Sequence, residues 1–286
     1  MKSFVVYTAI IGGYDEIRQP LVVDDRFDYI IFSNDITEDR IGVWQIRHFE
    51  YSNPIQTKIA RWVKTHPEEL LRGYAASLWM DSNITIIDSA IYTLCVEHYN
   101  RGHLFATMKH PERSCIYQEM VKILEMRVES ESTVLRWGHK LIKDGYPQNN
   151  GLSETGLLFR IHSHKVVQEV DLQWWDCIES FSRRDQFSFN YLIWKNNVSY
   201  EYFISEDADV HHSKIVSFFE HTKDFSKYVK FGRHEAWLCR HLEKYPQERQ
   251  IIANAYYLSY KSCFPKVTAY ILGQFFRIHD IIMRII

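Results

Sequence analysis

The sequence predicts an α/β fold, a sheet layered with helices and followed by a C-terminal helical extension. Three observations predict it. The 286 residues are 46% hydrophobic and 24% charged, a globular composition that excludes a disordered, collagenous or low-complexity chain. Short β-branched and aromatic runs alternate with helical spacing through the N-terminal two thirds, the signature of a sheet with helices packed on it. The last segment carries Phe264, Val267, Ile271, Phe275, Ile278, Ile282 and Ile285 in steps of three and four, one apolar face of a helix.

Phe4–Ile11 is β-branched and aromatic and stops at Gly12-Gly13, which predicts a buried first strand ending in a glycine turn. Phe27–Ser33 predicts a second strand, closed by polar Asn34-Asp35, and Val43–Phe49 a weaker third. Ile55–Val63 has helical spacing and ends before His66-Pro67. Ala75–Met80 is an apolar run leading into Asp81-Ser82-Asn83, and Leu104–Thr107 is another short strand. Gln118–Glu131 and Ser132–Asp144 predict helices laced with charge pairs. The run from Gly145 to Gly151 is a loop, Gly156–Ile161 the strand after it, and a short strand lies near Tyr202–Ile204. Val166–Ser182 and Asp185–Lys195 predict the next helices. With no internal repeat and no Pro/Gly/Ser linker, the expected division is a catalytic body over 1–213 and a basic helical extension over 214–286.

The net charge of −2 argues against a nucleic-acid partner, since no basic field surrounds the chain. It conceals an asymmetry: residues 214–286 carry 12 Lys and Arg against 6 Asp and Glu, and residues 1–213 carry 22 against 30. The five cysteines are widely spaced with no C-x-x-C pair, which predicts reduced thiols in a cytoplasmic protein rather than a zinc cluster or disulfide framework. The apolar start leads into a glycine turn without a cleavage site, and no run of about 20 apolar residues forms a membrane span. The C-terminal helix, interrupted by Arg277, His279, Asp280 and Arg284, has two readings. It packs on the body or on a second copy of the chain, or it lies on the inner face of the membrane against anionic headgroups.

The chemistry concentrates in Leu78-Trp79-Met80-Asp81-Ser82-Asn83-Ile84. Ligands of open α/β sheets bind outside the carboxyl ends of strands, and Asp81 and Asn83 present two oxygens there, as a hard divalent cation requires. The plain reading is a turn capped by its own Asp and Asn. Arg61 and Lys64 lie three apart on a predicted helix, hence on one face. They suit a diphosphate, one as a fork and the other as a point charge, or else form a solvated basic edge. Asp185, Gln186 and Asn190 open another helix, where a carboxylate also suits the helix dipole. Glu154 sits in a loop and reads equally as a catalytic or acceptor-site carboxylate or as a solvated acid.

The segments YTAIIGGYD, R-x-x-K-x-H-P at Arg61–Pro67, SLWMDSN, HPERSCIYQE at 110–119, NNGLSETGLLFR and RRDQFSF occur in this order. Together they resemble the glycosyltransferase-like family, once a domain of unknown function, found in plant cell-wall proteins and bacterial polysaccharide clusters. The resemblance covers about residues 4 to 200 and implies a GT-A-like, Rossmann-related mixed sheet flanked by helices. It implies a transferase that moves a sugar from a nucleotide-sugar, a UDP-sugar foremost, to a glycan or lipid-linked acceptor. GT-A enzymes hold Mn2+ or Mg2+ on the donor diphosphate with a D-x-D motif. Here that motif is Asp81-x-Asn83, one charge fewer. By similarity, Asp185 and Gln186 lie near the transferred sugar, with Asn190 after three intervening residues. His211 completes the metal site, with His212 an alternative, while His110 belongs to a family-like segment. The nucleotide rests near Thr8, Gly12 and Tyr14, where glycine permits close backbone approach.

If the reaction inverts, Asp185 or Glu154 is the base; if it retains, Asp185 orients the sugar. Two other classes compete. A metal-dependent phosphodiesterase or other hydrolase usually has a denser Asp and His cluster. A non-catalytic carbohydrate-binding protein would use its aromatics for stacking, although aromatics mostly fill cores.

Overall fold

The computed structural model describes residues 3–204, 209–222 and 232–285, with backbone alone for 278–285. The first elements are β1 (Phe4–Ala9), β2 (Phe27–Phe32), β3 (Arg40–Ile41), β4 (Trp44–Arg47), α1 (Gln56–Thr65), α2 (Pro67–Leu70), β5 (Ala76–Met80) and β6 (Ile84–Ile86). Next come α3 (Ala90–Asn100), β7 (Phe105–Lys109), α4 (Ile116–Glu125), α5 (Glu131–Lys143), β8 (Ser153–Arg160) and α6 (Lys165–Ser180). A 3-10 turn at Asp185–Phe187 leads to α7 (Phe189–Lys195), β9 (Glu201–Tyr202), β10 (Val216–Phe218), α8 (Arg233–Lys244), α9 (Arg249–Lys261) and α10 (Pro265–Ile285).

The expected α/β architecture is present as a mixed eight-stranded sheet in the order β3-β4-β2-β1-β5-β8-β7-β9. β1 runs parallel to β2 and β5, and β8 runs antiparallel between β5 and β7. β1 and β5 are buried along their whole length, as expected where helices cover both faces and strand sequences become continuously apolar. On one face, Ile91, Tyr92 and Cys95 of α3 share a core with Val6, Leu78 and Phe159. On the other, Tyr7 donates from its hydroxyl to the Lys64 carbonyl of α1.

This topology puts the C-terminal ends of β1, β2 and β5 and the N-terminal end of β8 at one sheet edge. The register continues past β5, where the Asp81 amide donates to the Gly156 carbonyl at 2.7 Å. Asp81 and Gly156 are therefore neighbours across the edge.

The chain divides into two compact units: residues 1–112 with 152–223, and 113–151 with 224–286. This division differs from the expected boundary at 213. Helices α4 and α5 belong with the C-terminal helices, and β10 pairs with β6 in the first unit. In the second unit, Gly138 of α5 faces Tyr260 of α9 so closely that a Cβ would lie 2.6 Å from the ring. Only glycine fits there. The helix expected over 118–131 stops at Glu125, and Arg127 takes a left-handed φ of 60°. Ser130 then caps α5 by accepting from the Thr133 amide at 3.2 Å.

Candidate active site

Four side chains meet at the end of β5. Asp81, 23% exposed, accepts on Oδ1 from Trp79 Nε1 at 2.7 Å and from Arg61 Nη1 at 3.3 Å. Lys64 Nζ lies 3.9 Å from the same oxygen. Asp185 is paired more deeply. Its Oδ2 accepts from Lys64 Nζ and from Thr155 Oγ1, and its Oδ1 lies 3.3 Å from Arg61 Nε. The fixed turn spacing of α1 puts Arg61 and Lys64 side by side, so one helix face serves both carboxylates.

Lys64 is fully buried, with its ammonium also donating to the Thr155 carbonyl at 2.7 Å. A buried ammonium is costly unless paired and hydrogen-bonded. Here it has both, and it sits 5.5 Å and 5.3 Å from the ring centres of Trp79 and Trp174. Burial alone would push the Asp185 carboxyl up, but the charges of Arg61 and Lys64 outweigh it and hold the group well below the usual carboxylate range. Arg61 keeps a 16% exposed side chain and is the cation of the pair that reaches the surface.

A second buried network supports this face. Arg160 and Asp171 form a fully buried ion pair, and Arg160 also donates to the Lys64 carbonyl and the Tyr7 hydroxyl. The end of α1 is thereby tied to β8, β1 and α6. Breaking such a pair leaves a buried charge uncompensated, at a cost of about 3–5 kcal/mol.

Glu154, expected in a loop, lies on β8 two residues before Gly156 and extends the same edge, because the strand pairs with β7 from Ser153 onward. Its Oε1 lies 3.4 Å from His211 Nε2, and its Oε2 accepts from the Val210 amide at 3.3 Å. Burial, with added repulsion from Asp209 and Asp81, pushes its carboxyl up to about 7. His211 in turn packs its ring against Phe218. His212 instead pairs with Asp209 at 2.9 Å.

A further group was not singled out as a site from sequence. Asp15 accepts from Ser82 Oγ, from His221 Nδ1 at 2.9 Å and from the Thr222 amide at 3.2 Å. Burial opposes its charge, but the His221 and Ser82 hydrogen bonds outweigh that and hold the carboxyl below its usual value. Tyr14 lies against the His221 ring, 4.4 Å between centres. The available signals were Asp15 directly after the glycine turn and Ser82 between Asp81 and Asn83. Nothing local marks His221, which lies 206 residues from Asp15.

The remaining candidates are placed as follows. Thr8 is buried on β1 and its Oγ1 has no hydrogen-bond partner among the described residues. Gly12 has φ +67°, and a Cβ there would come within 2.3 Å of the Gln56 side chain, so this turn requires glycine. Gln186 accepts from Arg184 at 3.1 Å. Asn190 is buried, accepts from the Ser153 amide at 2.9 Å and donates to Tyr200 OH at 3.2 Å, which fastens α7 to the start of β8. His110 is buried and accepts on Nδ1 from the Glu112 amide at 3.2 Å.

The residues expected as metal ligands stand apart. Asn83 is buried and donates to the Phe219 carbonyl at 2.9 Å, while His211 stands with Glu154. Among the described residues no three His, Cys, Asp or Glu side chains are grouped for a metal. Asp81 is the expected ligand whose carboxylate stays partly exposed. It packs closely on Gly156, where a Cβ would lie 3.1 Å from Ile84 Cδ1 and 3.4 Å from Asp81 Oδ2.

Residues 1–221 match the TOD1/MUCI70, glycosyltransferase-like domain. Among solved structures, the chain is similar to the apo structure of the WbbM bifunctional glycosyltransferase, at 10% identity and a TM-score of 0.39. The similarity covers 70% of this chain and 38% of that one. A search of curated proteins finds no match.

Proposed function

The chain belongs to the TOD1/MUCI70 glycosyltransferase-like family, and we propose that it is a GT-A-type glycosyltransferase of polysaccharide biosynthesis. It would move a sugar from a UDP-sugar to a glycan or lipid-linked acceptor. The observation that carries this reading is the cluster of Arg61, Lys64, Asp81 and Asp185 at the end of β5, with Glu154 at the same edge.

The donor diphosphate is best placed beside Asp81, against Arg61, and the nucleotide along the turn that follows β1, near Thr8, Gly12 and Tyr14. Asp185 and Lys64 are too deeply buried to touch it; they hold Arg61 and Asp81 in position. Two cations and two carboxylates cancel, so the cluster alone offers a diphosphate little net positive charge. A divalent ion held by Asp81 Oδ2 and the diphosphate itself fits this shortfall. When bound, Mn2+ or Mg2+ would neutralise charge on the leaving group.

Glu154 is the base in this reading. Its carboxylate takes the proton of the acceptor hydroxyl as that oxygen bonds to the anomeric carbon. The sugar–phosphate bond breaks, and its electron pair leaves with the nucleoside diphosphate. His211 and the Val210 amide orient the carboxylate, and a value near 7 suits a base at neutral pH.

A thermal-shift panel of UDP-, GDP-, CMP- and dTDP-sugars with and without Mn2+ tests the reading. The expected result is stabilisation by a UDP-sugar that needs the metal, because a ligand that binds only the folded state raises its stability. Asp81→Asn should remove that shift while leaving the ligand-free melting temperature close to wild type. A metal-dependent shift that survives in this variant would remove Asp81 from the donor site.

A further inference from the structure

Over residues 265–277, whose side chains are described, helix α10 is apolar on two sides, and one of them is covered. Ala269 and Gly273 are buried against the second unit, where a Cβ on Gly273 would lie 2.1 Å from the His234 ring. The other side carries Phe264 just before the helix, then Val267, Tyr270, Ile271 and Phe275, all exposed, with Phe264 and Phe275 at 71% and 65%. Exposed apolar groups at this density on one face mark an interaction surface.

Charge identifies what covers it. Between Glu248 and Asp280 the chain has no Asp or Glu, while Arg249, Lys261, Lys266 and Arg277 supply cations. Arg249 is engaged by Glu125, but Lys261 and Lys266 are exposed on either side of Phe264. Leu135, Phe264 and Val267 also line an open cavity of about 380 Å³ that Arg136, His139 and Lys266 share. An apolar floor beside cations matches a lipid, with its acyl tail and anionic head. No described helix is long and apolar enough to cross a membrane.

We propose that the exposed face of α10, led by Phe264 and flanked by Lys261 and Lys266, lies in the interface of an anionic lipid bilayer. The apolar side chains enter the headgroup boundary while the lysines contact anionic headgroups, as in other interfacial helices. The assignment goes beyond sugar transfer and gives the enzyme a surface on which lipid-linked substrates are held.

The test is cosedimentation of the full chain with vesicles of phosphatidylcholine alone or with phosphatidylglycerol, at low and high salt. Binding is expected only with phosphatidylglycerol and should weaken as salt screens the lysines. Lys266→Glu should reduce partitioning at least about fivefold, since each basic residue near an anionic surface contributes about that factor. The Phe264→Ser/Phe275→Ser pair should abolish binding; both sites are exposed, and circular dichroism checks that the fold persists. Lys266→Glu leaves the apolar face intact and provides an independent reading. The proposal is overturned by equal binding to both vesicle types, by no binding, or by variants that bind like wild type. It is also overturned if wild type sediments as a dimer that the double variant dissociates, for then a second copy covers the face. Vesicle binding is measured without turnover, so its failure would leave the sugar-transfer reading untouched.

Discussion

At the residue scale, Asp185 and Glu154 are two carboxylates set to opposite tasks. Asp185 lies beneath two cations and is held ionised, whereas Glu154 is buried beside other acids and pushed up to about 7. In the proposed mechanism this divergence suits the first to anchoring and the second to proton transfer. Glu154→Gln should lower the transfer rate about 10²- to 10⁴-fold while leaving the donor-dependent thermal shift unchanged. In wild type the rate should rise with pH through about 7, as Glu154 loses its proton. An unchanged rate in Glu154→Gln would exclude it as the base. Arg61, Lys64 and Asp81 were legible as candidates because helix spacing and a strand end are local signals. That Lys64 is an internal anchor was not, because burial is settled by Trp79, Trp174 and Thr155, which come from distant parts of the chain.

At the element scale, long periodic segments were readable and most of the shortest strands were not. β1, β2, α1, β5 and α6 fall close to the expected positions, since each carries enough apolar residues to show its period. β3 has two residues and β6 and β10 have three, and none of them was expected, whereas β9, also two residues long, falls at the strand expected near Tyr202–Ile204. Such strands are defined by their partners rather than by their own pattern. The expected helix over 185–195 is a 3-10 turn followed by α7, which lets Asp185 face Lys64 and Asn190 brace β8. The α5–α9 contact gives a prediction of its own. Gly138→Ala places a Cβ against Tyr260, and overpacking of ~1–3 kcal/mol should exceed the ~1 kcal/mol of helix propensity gained. Urea denaturation should therefore show a net loss of stability; a gain would mean that Tyr260 moves aside freely.

For the whole molecule, two buried histidines make one contribution to the pH dependence of stability. Burial pushes His98 and His162 down to about 4 from an ordinary 6.5, with His103 and Arg160 adding to the effect. The unfolded chain binds these protons at higher pH than the folded one. The stability they supply is therefore full above about 6.5 and is lost as pH falls toward 4. Glu154 and Asp171, both pushed up to about 7, act in the opposite direction over the same range, because the folded chain binds their protons more tightly. The histidine contribution is therefore read as a difference: the melting temperature of His162→Gln should gain on wild type as pH falls from about 6.5 toward 4. A difference that stays constant with pH would remove His162 from the acid response.

The interleaving of the two units has a consequence for how the protein is made. Asp81 is translated before the α4–α5 segment, and Glu154, Gly156 and Asp185 after it. While the ribosome is still adding that helical segment, β5 has only its parallel neighbour β1 beside it, and the β8 edge is missing. Pairings this far apart in sequence are slow to form. The nascent chain therefore carries its basic helix face and Asp81 before the strand that completes the cluster exists, and a truncated product ending before residue 152 contains five contiguous strands of the sheet and lacks Glu154 and Asp185.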